Sequence, residues 1–513
     1  MLEVTTATKN TYIQSESLHK ELRIVFTKGN RTQEVGNSAI VAEEFELEQN
    51  LCDSEVDFMG CVGSTCRFTL WNVFGTFDVK TKVQVYIEAD GTNEEILIFT
   101  GYINEITANL VDGQVEYICY DLIAFDYLSN WKFGDTLSEY LDDHSSQGTP
   151  ITEILTLMER SSTQYGLEIT YEGNLPNNNA IIKSDGMVDV FKGMSALDVL
   201  KYICQIEGAF GVINNEGEFE LRWINASGEY EGAYPGTITY PSETLYPGVQ
   251  NAGQTGEFLL LPYESFESAH RLTKSEPPIN GVLIMETDDA NADKSSDKMQ
   301  DVKNYDDSDM PGGNGTPFTG SVIKIVGNPF VHNRPSSYKL DVCNKIQSVA
   351  GGFVYYPYEA KGKGLPFIEV GDFVDYIVTN WNETGQQRHQ MVTCLVSKRT
   401  LKGIQHMTDT YSAQIVGDWK REEKINYICA LGGASAVSQD IEADQTDSQI
   451  DEKIEEVSNI WNVETVVSRP DNPRPKTIYF VRGIVNMHGY SESNEVDEVE
   501  VNNGENTNEG QTE

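Results

Sequence analysis

The stretch that decides the fold runs from Leu22 to Asp121: LRIVF (22–26), AEEFELE (42–48), CRFTLW (66–71), KVQVYIEA (82–89), EILIFTGYINEIT (95–107) and QVEYICYD (114–121). Each segment alternates apolar and polar residues or runs apolar, the patterns of strands buried on one face or on both. Turn residues separate them, at Lys28-Gly29-Asn30, Asp90-Gly91-Thr92-Asn93 and Asp112-Gly113. Six strands at this spacing predict a closed or nearly closed antiparallel barrel, which hides the sheet edges.

Beyond residue 128 the period lengthens. In PITEILTLMERSSTQYG (150–166) the residues Ile151, Ile154, Leu155 and Met158 share one helical face, Pro150 suits the first turn and Gly166 the stop. A second helix is predicted in MSALDVLKYICQIEG (194–208), with Ser195 as N-cap, Asp198 three residues on, and a stripe of Leu197, Leu200, Ile203 and Cys204 before Gly208. FGVINNEGEFELRW (210–223) then reads as a hairpin turning at Asn215-Glu216-Gly217.

Between 226 and 330, strands such as GTITY, EFLLLPY and INGVLIME surround an acidic loop at 288–315. A third helix, SSYKLDVCNKIQSVAGG (336–352), carries Tyr338, Val342, Ile346 and Val349 on one side. A second strand-rich block follows, and in it Val370–Val378 and Val392–Leu401 are expected as adjacent strands of one barrel, with Gly371-Asp372 in a turn. From Trp419 the pattern turns helical, and Ile441, Ile450, Ile454 and Val457 are spaced for a narrow seam, a short coiled coil. A small strand pair is expected within 463–489, and after Tyr490 the chain is acidic, lacks any positive charge and reads as disordered.

The expected class is therefore β-rich α+β and multidomain: two antiparallel β-barrels, an intervening small α/β domain and a C-terminal short helix or coiled coil. The expected boundaries are 1–128 for the first barrel, 129–225 for the α/β domain, and 226–330 for a β-rich linking domain with the acidic loop. The second barrel with its preceding helix takes 331–418, the helical segment 419–462, and a small β module with an acidic tail 463–513.

The charge balance narrows the function. Across 513 residues, 37 basic residues face 80 acidic ones, a net of −43. Such a surface repels a phosphate backbone, so stable nucleic-acid binding is not expected. High like charge keeps a protein soluble, and part of it suits the lining of a channel through which DNA slides without sticking. No run reaches the roughly 18 apolar residues of a membrane span, and MLEVTTATKNTYIQ has no signal-peptide core, so a soluble protein made in the cytoplasm is expected. The eight cysteines are scattered, several inside apolar runs such as Tyr117–Tyr120 and Tyr202–Ile206, as buried free thiols are in a reducing compartment. Only Cys52, Cys61 and Cys66 cluster, without zinc spacing and with no His nearby.

Catalytic signatures are missing. The sequence has no phosphate loop, no HExxH, no nucleophile elbow and no dinucleotide fingerprint. Gly193-Met194-Ser195-Ala196-Leu197 comes nearest to an elbow, but it lacks the closing Gly and opens a helix, where a capping Ser belongs. Asp306, Asp307 and Asp309 near Gly312 lack EF-hand spacing and read as a solvated loop, and a loop position suits His389 better than a ligand role. No catalytic residue, cofactor or metal is expected.

Three segments carry a resemblance. MSALDVLKYICQIEGAFGVINNEGEFELRWI (194–224), KGKGLPFIEVGDFVDYIV (361–378) and LVSKRTLKGIQHMTDTYSAQ (395–414) resemble, in this order, the tail hub or tail-associated structural protein of prophages in Gram-positive bacteria, the "prophage tail" or "endopeptidase tail" type. Through these motifs Gly371, Asp372, Arg399, Gly403, Asp409 and Tyr411 mark the second hub barrel. The resemblance implies a virion component at the tail tip or baseplate, assembled in the host cytoplasm, with a role in genome ejection. It implies a homotrimer whose two barrels per subunit alternate round a pseudo-sixfold ring, matching a sixfold tail tube or distal tail protein on one side and a threefold tip on the other. A tip or fibre protein is the expected partner of the C-terminal module. Some relatives continue into lytic domains; residues 463–513 are too few for a peptidoglycan hydrolase, so an enzyme is not expected. The alternatives are a tail-associated cell-wall hydrolase and a carbohydrate-binding receptor-recognition protein using Trp381, Tyr355 and Tyr356.

Overall fold

The computed structural model describes residues 4–15, 18–51, 59–71, 77–109, 113–144, 148–178 and 190–223, with Leu2. Further on it describes strands at 258–261 and 266–271, residues 279–287, 294–305, 320–351, 358–381 and 387–413, and strands at 425–429, 462–466, 477–481, 487–490 and 496–499. The chain divides into two compact units, Met1–Ala434 and Ser435–Glu513.

The first unit begins with helix α1 (Thr6–Gln14), then strands β1 (Lys20–Lys28), β2 (Arg31–Val35), β3 (Glu46–Asn50), β4 (Thr65–Trp71), β5 (Lys82–Ala89), β6 (Ile96–Asn109) and β7 (Gln114–Tyr120). The alternation read from the sequence is the alternation of burial: in β5, Val83, Val85, Ile87 and Ala89 point inward while Lys82, Gln84, Tyr86 and Glu88 do not. Phe26, Phe68, Phe77 and Tyr117 meet in the core beneath this face, with Phe26 and Phe77 stacked at 3.7 Å between ring centroids.

Helices α2 (Tyr127–Asn130), α3 (Phe133–Asp143) and α4 (Ile151–Ser161) follow, then β8 (Ile169–Tyr171), α5 (Ala196–Glu207), β9 (Phe210–Ile213) and β10 (Phe219–Arg222). α4 buries Ile151, Ile154, Leu155 and Met158, the four residues of the sequence stripe. α5 opens on a reciprocal capping box: the Ser195 hydroxyl accepts from the Asp198 N–H, and the Asp198 carboxylate accepts from the Ser195 N–H. Gly208 ends it in the left-handed region at φ 70°. β8, β10 and β9 form a three-stranded sheet in that order, with the β9–β10 hairpin at its edge.

The remaining elements of this unit are β11 (Phe258–Leu261), β12 (Phe266–Arg271), β13 (Ile279–Met285), β14 (Val302–Lys303), β15 (Gly320–Val326), α6 (Ser336–Ala350), β16 (Tyr358–Lys363), β17 (Phe373–Trp381), β18 (Gln387–Leu395), β19 (Lys398–Lys402), β20 (Thr408–Ala413) and β21 (Ile425–Cys429). α6 buries Val342 and Ile346 and lies against β13 and β14. His389 stands in β18, not in a loop.

The two expected barrels are not confirmed. No sheet among the described residues closes. The early and late strand blocks instead share one eleven-stranded sheet, in the order β12-β16-β20-β19-β3-β4-β7-β6-β5-β1-β2. The joint is the antiparallel pair β3–β19, where Gln49 faces Arg399 and Leu47 faces Leu401. Local periodicity carries no information on a pairing between residues about 350 apart in sequence, which is why two separate barrels were expected. The expected strand at Val392–Leu401 is likewise two strands. β18 pairs antiparallel with β17, as expected, in a three-stranded sheet with β11, while β19 passes into the large sheet. The break falls at Val396-Ser397, whose backbone bonds go to Gly371, Asp372 and Leu51 instead.

In the second unit, β22 (Asn462–Val466), β23 (Thr477–Val481), β24 (Met487–Tyr490) and β25 (Val496–Val499) form a four-stranded sheet in sequence order. β25 lies in the segment expected to be disordered.

Candidate functional site

β19 sets the site through its period of two. Arg399 and Leu401 turn inward, whereas Lys398, Thr400 and Lys402 do not. An arginine on the core side of a strand needs a partner for each N–H, and Arg399 finds five. Nε and Nη2 donate to the two carboxylate oxygens of Asp409 on β20, each at 2.9 Å. Nη2 also donates to the Leu365 carbonyl at 2.8 Å, and Nη1 donates to the Ile368 carbonyl and to Gln49 Oε1 on β3 at 3.2 Å. Asp409 further accepts from the Tyr411 hydroxyl at 2.9 Å and the Leu365 N–H at 3.1 Å. Arg399, Asp409 and Tyr411 are each at most 1% exposed. Burial alone lowers the arginine's pKa, but the Asp409 carboxylate outweighs it and keeps the guanidinium charged.

The loop between β16 and β17 lies over this pair and is held from a third side. Arg222, the last residue of β10, donates to the Val370 carbonyl at 2.7 Å, to Glu369 Oε1 at 3.0 Å and to Glu220 Oε2 at 2.9 Å. Burial pushes the Glu369 carboxyl up, yet opposing attractions, Arg222 foremost, hold it below the usual range. Asp372 is raised by burial, and its Oδ2 accepts from the Glu369 N–H at 2.7 Å. Gly371 sits at φ 93°, a conformation that favours glycine, and its N–H donates to the Val396 carbonyl at 2.8 Å. Gly403, at φ 73°, lies just past β19 and donates to the Phe45 carbonyl at 2.9 Å.

The structure thus brings Gly371, Asp372, Arg399, Asp409 and Tyr411 to one buried junction, with Gly403 at the far end of the same strand. The seam residues Ile441, Ile450, Ile454 and Val457 lie outside the described residues, as do Asp306, Asp307 and Asp309. Gln49 and Arg222 were not singled out from sequence; Gln49 could have been found as a polar residue in phase with Leu47 on the inward face of β3.

A second buried cluster was also missed. Glu286 Oε2 lies 2.6 Å from His332 Nδ1, and Oε1 meets the ammonium of Lys339, which is fully buried on α6. Lys339 also donates to the Lys298 carbonyl at 2.7 Å. Burial raises the Glu286 carboxyl, but bonds from His332 and Lys339 hold it below its ordinary value. This fastens one point of the acidic loop, the Lys298 backbone, to α6, while residues 295–298 stay exposed. The available signal was Lys339 itself, a charge three residues before Val342 on the apolar stripe.

The donors and acceptors of the Arg399 network bond one another away from solvent, as in a structural joint. Among the described residues no group of three or more His, Cys, Asp or Glu could hold a metal ion, and no helix is long and apolar enough to cross a membrane.

No protein-family model matches the sequence, and no curated protein matches it. Solved structures do match. The 43 kDa tail protein of prophage MuSo2 from Shewanella oneidensis aligns with a TM-score of 0.39 and 10% identity, over 76% of this chain and 98% of its own. The tail protein from Neisseria meningitidis MC58 aligns at 0.36 and 10%, over 77% and 96%. The structural neighbours of this chain include phage tail and baseplate proteins. A chain of the phage P2 baseplate in its activated conformation aligns at 0.26 and 10%, over 76% and 98%.

Proposed function

We propose that the chain is a structural, non-enzymatic component of a phage-type tail: the trimeric hub that joins a sixfold tube to a threefold tip and surrounds the DNA exit path. One observation carries the reading. The three segments that resemble tail hub proteins, far apart in sequence, converge on the Arg399 junction, the first through Arg222, the second through the loop Leu365–Asp372, the third through Arg399, Asp409 and Tyr411. Residues that resemble a hub therefore perform one mechanical task, which is to bind the late strand block and the small α/β sheet to the early strand block.

A rigid subunit with two strand-rich halves suits an adaptor between sixfold and threefold symmetry, since three copies present six halves. The charge supports an unobstructed DNA path. Several basic side chains of the large sheet lie against carboxylates, with Lys402 at 3.0 Å from Glu46, Lys398 at 2.6 Å from Glu48 and Arg23 at 2.6 Å from Glu95, which leaves these three poorly placed to hold phosphates. The domain boundaries given above, the tube and tip partners, and the marking of the hub barrel by its six signature residues belong to the same proposal.

The test is native mass measurement of the purified chain with peptidoglycan zymography beside it. Three copies per particle and no clearing are expected. A monomer at micromolar concentration overturns the hub, and clearing by the wild-type chain overturns the non-enzymatic reading.

A further inference from the structure

We propose that Cys61 and Cys204 are a paired-thiol modification site, which closes into an intramolecular disulfide on meeting a small-molecule disulfide such as oxidised glutathione and so fastens the loop before β4 to helix α5. The two sulfurs lie 3.6 Å apart in the interior, although the residues are separated by 143 positions. Bond formation needs an approach of about 1.5 Å.

The site is built from both sides. Residues 60 and 61 run beside β9: the Gly211 N–H donates to the Gly60 carbonyl at 3.0 Å, and Cys61 pairs with Gly211 in a parallel bridge. A Cβ at Gly211 would come within 2.5 Å of the Cys61 sulfur, so the glycine leaves room for the thiol. Cys204 meets it from the buried face of α5. Three other thiols are placed differently. Cys66 and Cys119 are direct partners within one ladder, β4–β7, where a bond would join strands already paired, and Cys343 donates to the Val302 carbonyl.

The exchange balances. Cys61, 6% exposed against 0% for Cys204, is the more reachable sulfur. Its thiolate attacks oxidised glutathione and releases one glutathione thiolate, leaving a mixed disulfide. The Cys204 thiolate then attacks the Cys61 sulfur and expels the second glutathione. Two thiol protons and two electrons leave the protein, and one small disulfide becomes two thiols. The occasion rests on the proposed tail function, because a particle assembled in a reducing cytoplasm is released into an oxidising medium. A cross-link over so long a loop restricts the unfolded chain, and an upward shift in Tm on the order of 5 °C is expected.

The experiment incubates the full-length chain with oxidised glutathione, blocks free thiols, digests without reductant and maps peptides by mass spectrometry. The expected result is a linked peptide pair containing Cys61 and Cys204, abolished by dithiothreitol, and a higher Tm in the oxidised chain. C61A should lose the shift and C343A should keep it. Free Cys61 and Cys204 after full oxidation, a stable glutathione adduct on Cys61, or a Cys66–Cys119 link in place of this one would overturn the proposal, as would the link without a change in Tm. Because bond and Tm are read on purified protein, failure here is distinct from failure of the hub, which the native mass reports.

Discussion

Arg399 and Asp409 meet through two 2.9 Å hydrogen bonds in the interior of the large sheet, and each uses its remaining capacity on a different part of the chain. Removing one partner leaves an unpaired charge buried away from solvent. Asp409→Ala is expected to cost roughly 3–5 kcal/mol, seen as a lower midpoint in urea unfolding. Arg399→Lys should also destabilise, because a three-donor ammonium cannot make the five bonds of the guanidinium. A wild-type midpoint in either variant would show that the junction does not hold the sheet together.

Arg222 ties the three-stranded sheet to the loop at Glu369 and Val370. Arg222→Ala is expected to lose roughly 3 kcal/mol, since Glu369 would remain buried without its main counter-charge. The informative readout is local. Hydrogen exchange should quicken at Glu369, Gly371 and Asp372 more than in β5 or β6, and equal quickening everywhere would argue against a local clasp.

The pH dependence has a definite sign. Burial raises the Glu207 carboxyl from 4.5 to about 7, with the Asn177 N–H only partly offsetting it, and raises Asp121 from 3.8 to about 6. An acid whose folded pKa is raised contributes stability that is complete below its unfolded pKa and is lost as pH rises through the folded one. The contribution of Glu207 should therefore fall between about pH 4.5 and 7, by up to roughly 3 kcal/mol. Below that window the opposite holds for Glu286 and Glu369, whose lowered pKa values withdraw stability on acidification. Glu207→Gln should flatten the slope from pH 5 to pH 8 in thermal melts. An unchanged slope would remove Glu207 from this account.

What was legible in the sequence follows the reach of each signal. Strands β1, β4, β5, β6 and β7, the stripe of α4 and the capping box at Ser195 are encoded within a few residues and lie where the sequence predicts them. The polar strand β2 was not read, and the segment 42–48 is strand only from Glu46, after a short 3-10 turn at Ala42–Glu44. The β3–β19 joint and the passage of the chain between sheets at Val396-Ser397 depend on partners hundreds of residues away, and no local pattern announces them. Asp409 and Tyr411 were legible through resemblance alone, because a buried acid and a buried phenol look like surface residues until Arg399 is placed beside them. Helix α3, missed from sequence, carries Phe133, Leu137 and Leu141 on its buried side. That stripe was open to reading, but the acidic residues between its members obscured it.

The net charge makes a direct prediction for the DNA path. At about 50 mM salt, where phosphate contacts are strongest, the purified chain should show no retention of duplex DNA in a mobility-shift experiment. A retained complex that weakens steeply with salt would mean that its basic residues are free to meet phosphates, and the ejection path would have to lie elsewhere.

The last prediction concerns residues 435–513, which form a unit of their own. Ile441, Ile450, Ile454 and Val457 are spaced for a seam, yet a helix over them would be only modestly longer than the roughly 12–15 residues below which isolated helices are marginal in water. Glu452, Glu455 and Glu456 would repel their copies in a parallel trimer unless Lys453 bridges between helices. In the proposed hub the seam forms because the strand-rich unit gathers three copies at high effective concentration. The four-stranded sheet β22–β25 is then left to present a docking module to a tip or fibre protein. Deleting 435–513 should leave a chain that still measures as a trimer, while tip assembly or host attachment fails. Loss of the trimer would move the assembly signal into the seam, and particles that assemble and infect normally without these residues would end the docking idea.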